Sequence, residues 1–85
     1  MTWQIYMLRC ADNSLYTGVT TDIERRLSEH NESKQKGAKY TRARRPVELV
    51  YTEDVDSRAQ ACQREAQIKA LSRKQKLHLI EQGTP

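Results

Sequence analysis

The sequence contains no phenylalanine, one tryptophan, three glycines and two prolines in 85 residues. With so few large rings, an interior has to be built from aliphatic side chains and the four tyrosines. A chain of this length buries one compact core and no more, so a single domain over residues 1–85 is expected. Cysteine is scarce as well: Cys10 and Cys62 lie far apart without a CxxC spacing, which leaves a disulfide framework or a zinc knuckle poorly supported. Both are expected to be reduced, buried and apolar in behaviour. No stretch approaches the roughly 18 apolar residues of a membrane span. The start, Met1-Thr2-Trp3-Gln4, lacks the charged and apolar regions of a signal peptide, so a cytoplasmic protein is expected.

Acid is absent where base is densest. Residues 33–46 carry six cations, Lys34, Lys36, Lys39, Arg42, Arg44 and Arg45, and no Asp or Glu, in a chain whose net charge is +4. A positive potential focused in this way favours a polyanionic partner. Gly37 interrupts the segment and Arg45-Pro46 closes it, a pattern that reads as a loop. Tyr40, set among the cations, suits backbone contacts with one stacked base. If about four of the cations met phosphates, affinity would fall with salt at a log–log slope of roughly −3 to −4.

Residues 3–10 read as a strand covered on both faces, with Trp3, Ile5 and Met7 on one side and Tyr6, Leu8 and Cys10 on the other. Ala11-Asp12-Asn13-Ser14 is a turn, and residues 15–20 form the return strand of a hairpin. Pleat parity then puts Tyr6 and Tyr16 on one face. Gly18 within a strand weakens it and points to close approach by another group. Thr21-Asp22-Ile23-Glu24 has the form of a capping box for a helix to about Asn31, with Ile23 and Leu27 inward and Arg26 and His30 on a neighbouring face. Residues 47–51 alternate as a third strand. A second helix, capped at Asp56 or Ser57, runs to about Ala70 with Ala59, Cys62, Ala66 and Ala70 as its apolar stripe. Ser72-Arg73-Lys74-Gln75 caps a last helix, carrying Leu77, Leu79 and Ile80, that ends at Gly83. The order ββαβαα implies an α+β sandwich with a central three-stranded antiparallel sheet flanked by helices.

Gln4-Ile5-Tyr6, then Tyr16-Thr17-Gly18, then Arg26 ten residues past the second tyrosine, then Glu65 on a later helix, together resemble the GIY-YIG nuclease superfamily. The likeness is nearest to its small single-domain bacterial YhbQ-like (UPF0213-type) branch. It extends through Lys39-Tyr40-Thr41-Arg42, the stretch from Arg45-Pro46 to Tyr51, and Arg64-Glu65 to Lys69. Gln4 stands in place of the first motif's glycine, Thr17 in place of an apolar residue, and Val19 where some members carry lysine.

The resemblance implies a metal-dependent endonuclease or nickase that hydrolyses DNA, with RNA as the alternative substrate, leaving a 5′-phosphate and a 3′-hydroxyl. Its specificity would be low in sequence or set by DNA structure, or else supplied by a targeting partner protein. Glu65 would hold one Mg²⁺ or Mn²⁺, Arg26 would neutralise the scissile phosphate, and Tyr6, with Tyr16 and His30, would orient or deprotonate the attacking water. A phenol of ordinary pKa is ionised about one part in a thousand at neutral pH, a deficit of about 4 kcal/mol, so Tyr6 as base needs help from the cation and Arg26.

Each residue also has a plainer reading. Tyr6 and Tyr16 can be core strand residues and Arg26 a solvated cation. His30 can stabilise a helix C-terminus, and Glu65 can pair with Arg58 or Lys69 on its own helix. The corresponding alternative function is a non-catalytic nucleic-acid-binding module on the same fold.

Overall fold

The computed structural model describes residues 2–33 and 38–83. Lys34 and Lys36 of the basic segment lie outside these residues. The elements run β1 (Trp3–Arg9), β2 (Leu15–Thr20), α1 (Ile23–Glu32), α2 (Lys39–Arg42), β3 (Glu48–Val55), α3 (Arg58–Lys69) and α4 (Arg73–Gly83). The sheet has the order β2-β1-β3 and both pairings are antiparallel. The expected sandwich is therefore present, with one addition: part of the basic segment read as a loop forms the short helix α2.

The central strand β1 divides its side chains between two apolar clusters. Ile5 and Met7 join Tyr51, Ala61 and Ile68 on one face, with Trp3, Leu79 and Ile80 packed around them. Tyr6, Leu8, Cys10 and Val47 make the cluster on the other face, against Tyr16, Ile23 and Leu27 of β2 and α1. Alternation with apolar residues in both registers is what a strand covered on both sides requires.

Three local details differ from the sequence reading. The cap of α1 is Asp22, whose side chain accepts from the Arg25 amide at 3.1 Å. Thr21 does not serve, because the hydroxyl of Thr20 accepts the Asp22 amide and the chain turns one residue later. The buried face of α3 carries Ala61 and Ile68, with Arg64 and Glu65 half-buried between them, while Ala59, Cys62, Ala66 and Ala70 are exposed. Ile68 is the largest aliphatic side chain of the helix, and burying it removes more apolar area than burying any alanine. Cys62 is thus a free, exposed thiol and Cys10 a buried one. Finally, β3 does not alternate simply. Met7 pairs with Tyr51 but Leu8 with Leu49, so Val50 is an extra residue on β3, a bulge. The cap of α4 matches expectation: Ser72 and Gln75 exchange side-chain and backbone bonds at 2.9 and 3.2 Å.

Gly18 faces Tyr6 across the β1–β2 ladder. A Cβ at this position would lie 2.5 Å from the Tyr6 hydroxyl oxygen and 2.6 Å from its ring carbon Cζ. The close approach signalled by this glycine is therefore the cross-strand phenol, which lies over the bare backbone of β2. Gly18→Ala should cost about 1–3 kcal/mol in urea unfolding at unchanged m-value, and the cost should shrink in a Tyr6→Leu background.

Candidate active site

Tyr6 reaches past Gly18 toward α1, and α1 presents His30 to it. The hydroxyl of Tyr6 lies 2.9 Å from His30 Nε2, with Tyr6 only 1% exposed and His30 fully buried. Tyr16, diagonal to Tyr6 on the same face, sets its ring 6.4 Å from that of Tyr6 and 5.2 Å from the imidazole, the latter edge-on. Arg26, one turn before His30, directs its guanidinium to the Tyr6 hydroxyl and to Glu29 Oε1 at 3.1 Å. Four residues expected at one site are therefore together.

The electrostatics follow from burial. Burial pushes the Tyr6 phenol up to about 12; the Arg26 guanidinium, bonded to the phenol, opposes that rise, and Tyr16 and the Glu65 carboxylate add to it. Burial drives the His30 imidazole down to about 4, helped by the positive charge of Arg26, partly offset by Glu29, with Arg45 lowering it further. Arg26 loses solvation, but its bonds to Tyr6 and Glu29 outweigh that loss and raise its pKa. At neutral pH the site holds a neutral phenol, a neutral imidazole and a cationic guanidinium. His30 is thus not the helix-end cation of the plainer reading.

Glu65 bears on the Tyr6 phenol only weakly, as the last of the influences on its pKa. Its side chain is 24% exposed, with Lys69 Nζ 3.4 Å from Oε2. Among the described residues there is no cluster of three or more His, Cys, Asp or Glu suited to a metal ion. A half-buried lone carboxylate fits only a hard cation that completes its shell with water and phosphate oxygens, as Mg²⁺ commonly does.

The basic segment divides by role. Lys39 and Arg42 are exposed on α2. Arg44, by contrast, bonds Asp12 Oδ2 at 3.0 Å and lies 3.9 Å over the Tyr40 ring, which itself stacks on Tyr16 at 5.9 Å. Arg45 donates to the carbonyls of Glu29, His30 and Ser33 and so closes the C-terminus of α1. These two arginines, expected at phosphates, make bonds within the fold, because the carbonyls at the end of α1 and the Asp12 carboxylate lie within their reach. Tyr40 is 38% exposed, with its ring already engaged by Arg44 and Tyr16.

Sequence reasoning passed over three residues. Glu29 holds Arg26, and Asn31 pairs with both backbone groups of Val47, at 2.7 and 3.0 Å, tying α1 to the start of β3. The third is Thr41, buried on α2, whose hydroxyl lies 2.7 Å from His30 Nδ1. A threonine among cations gives no periodic signal, and only its place in Lys39-Tyr40-Thr41-Arg42 marks it.

The family model for the GIY-YIG catalytic domain matches residues 2–78. The chain belongs to the GIY-YIG nuclease family. It is 58% identical over 79 residues to a UPF0213 protein of Syntrophus aciditrophicus, covering 93% of this chain and 90% of that one. A UPF0213 protein of Natronomonas pharaonis is 55% identical over 80 residues, covering 94% and 92%. The solution NMR structure of the UPF0213 protein BH0048 from Bacillus halodurans is similar at a TM-score of 0.62 and 44% identity, over all of this chain and 89% of that one. In this GIY-YIG domain the two motif tyrosines share a face with α1.

Two outcomes are expected. A group whose folded pKa is about 4 and whose ordinary value is 6.5 refuses a proton that the unfolded chain takes up. His30 therefore contributes no penalty above pH 6.5, and stability is lost as the pH falls from 6.5 to about 4, by up to about 3 kcal/mol. Urea unfolding across this window should show a shallower loss in His30→Gln. Separately, Arg45→Ala should cost about 1–2 kcal/mol of stability while leaving unchanged the salt dependence of any DNA binding the protein shows, whereas Lys39→Ala should reduce that log–log slope by about 1.

Proposed function

We propose that this protein is a metal-dependent endonuclease that nicks DNA with low sequence specificity or by recognising distorted structure, acting in the cytoplasm. The observation that supports this most is the convergence of Tyr6, Tyr16, Arg26 and His30 around one phenol whose pKa also responds to Glu65. Hydrolysis of a phosphodiester needs a positioned water, an acceptor for its proton and positive charge where the phosphorane becomes negative.

The residues divide this work. Arg26 carries the positive charge and binds the scissile phosphate. Tyr6 orients the water and accepts its proton, passing its own proton to His30 Nε2. The water oxygen bonds to phosphorus as the P–O3′ bond breaks, the leaving oxygen takes a proton from solvent, and His30 releases its proton through Tyr6 to solvent, which restores the pair. In the free protein this transfer is unfavourable, because a Tyr6 phenol at about 12 lies far above a His30 imidazole at about 4. A phosphate on Arg26 offsets one of the two cationic charges that weaken His30 as a base, and because Arg26 also lowers the phenol, it raises the proton affinity of Tyr6 as well. Glu65 would hold the divalent cation, which supplies an acidified water and charge neutralisation.

The pairing of Glu65 with Lys69 favours the second reading, a nucleic-acid-binding module without chemistry. A plasmid-nicking assay separates the two. With Mg²⁺ or Mn²⁺ the wild type should convert supercoiled to nicked circles, and Glu65→Gln and Arg26→Ala should each lose about 100-fold or more while gel-shift affinity for the same DNA changes little. Equal nicking by wild type and both variants would remove the nuclease reading.

A further inference from the structure

Thr41 is a fully buried hydroxyl on a four-residue helix whose neighbour Tyr40 stacks on the site tyrosine Tyr16. It makes two hydrogen bonds with one proton to give. Its oxygen lies 3.0 Å from the carbonyl of Ala38 and 2.7 Å from His30 Nδ1. The hydroxyl is placed to donate to the Ala38 carbonyl, which also accepts the Thr41 and Arg42 amides, and with that donation the threonine oxygen accepts from the imidazole. Nδ1 therefore carries the ring proton. In a neutral imidazole that leaves Nε2 bare, and the Tyr6 hydroxyl 2.9 Å away must be the donor to it. The chain of bonds has one direction: Tyr6 to His30 to Thr41 to the Ala38 carbonyl.

We propose that Thr41 is a positioning residue that fixes His30 in the Nδ1–H tautomer, so that Nε2 is the acceptor for the Tyr6 proton when the phenol takes one from the attacking water. The last step rests on the nuclease reading above. With the other tautomer, an Nε2–H would point at the phenol oxygen and there would be no acceptor for the proton. Protonation of Nε2 in the reaction gives an imidazolium with both N–H groups already aimed at oxygens, those of Tyr6 and Thr41. Three charged groups bear on the imidazole: Arg26 and Glu29 on α1 and Arg45 beyond α2. The sheet contributes Tyr6 and Tyr16, and α2 contributes the uncharged Thr41. None of these except Thr41 reaches Nδ1 at hydrogen-bond distance among the described residues.

The test is the nitrogen spectrum of His30 together with nicking. In the substrate-free wild type at neutral pH, two-bond ¹H–¹⁵N correlations should show a pyrrole-type Nδ1 and a pyridine-type Nε2. Thr41→Val, which keeps the shape and loses the oxygen, should move His30 to a tautomer mixture or to Nε2–H. It should also lower kcat for plasmid nicking by about 10–100-fold with KM little changed. Thr41→Ser should restore both. A purely structural threonine would lower stability in the valine variant without moving the tautomer. A pyridine-type Nδ1 in the wild type overturns the proposal even if Thr41→Val fails to fold, as does an unchanged tautomer in that variant. A wild type that does not nick under any divalent cation would remove the nuclease reading and the proton's destination with it, while the spectrum still decides the tautomer.

Discussion

The hydrogen bond between the Tyr6 hydroxyl and His30 Nε2 is the contact on which the rest of this domain depends. Both groups are buried, Tyr6 in the cluster that joins the sheet to α1 and His30 on α1 itself, and a buried polar group without a partner costs about 1–3 kcal/mol. Each member of the chain from Tyr6 through His30 and Thr41 to the Ala38 carbonyl satisfies the next. The chain therefore fixes the sheet, α1 and α2 relative to one another by direction as well as by area. In a sequence without phenylalanine, this polar line through an apolar layer gives a small core its unique arrangement.

The same arrangement sets a cation against neutral groups. His30 is held neutral and Tyr6 protonated, so the guanidinium of Arg26, paired with Glu29, faces a neutral phenol and a neutral imidazole. An anion entering beside Arg26 changes the proton affinities of both. Around it, Arg45 holds the end of α1, while Arg44, Tyr40 and Tyr16 make a stack that holds α2 against the hairpin. The cations of the basic segment thus include builders of the site as well as exposed groups suited to a polyanion.

The strands were legible because their signal is local. Alternation in residues 3–10 assigned Tyr6, Leu8 and Cys10 to one face and Ile5 and Met7 to the other, and both clusters form so. It also put Tyr6 and Tyr16 together. Gly18 pointed to a close approach, and the group that approaches is the cross-strand phenol. Helix phase was harder: on α3 the alanines spaced at helical intervals are exposed, since one isoleucine outweighs them, and only the sheet reveals which stripe it covers. Arg45 and Thr41 were illegible in their roles, because what engages them are carbonyls and an imidazole distant in sequence. Charge density told of a basic segment but could not distinguish a cation aimed at solvent from one closing a helix.

The extra residue at Val50 reaches further than a local irregularity in pairing. Beyond it toward the C-terminus, Tyr51 sits with Met7 in one cluster; before it, Val47 sits with Leu8 in the other, although 47 and 51 share odd parity. Val47 stands just before β3, so the chain through the bulge serves both sides of the sheet in succession. Asn31 grips the backbone of Val47, so the seam between α1 and the sheet depends on that change of phase. Shortening β3 by this single residue would turn Val47 to the opposite side and unfasten the helix that carries Arg26 and His30, with no residue of the site itself altered.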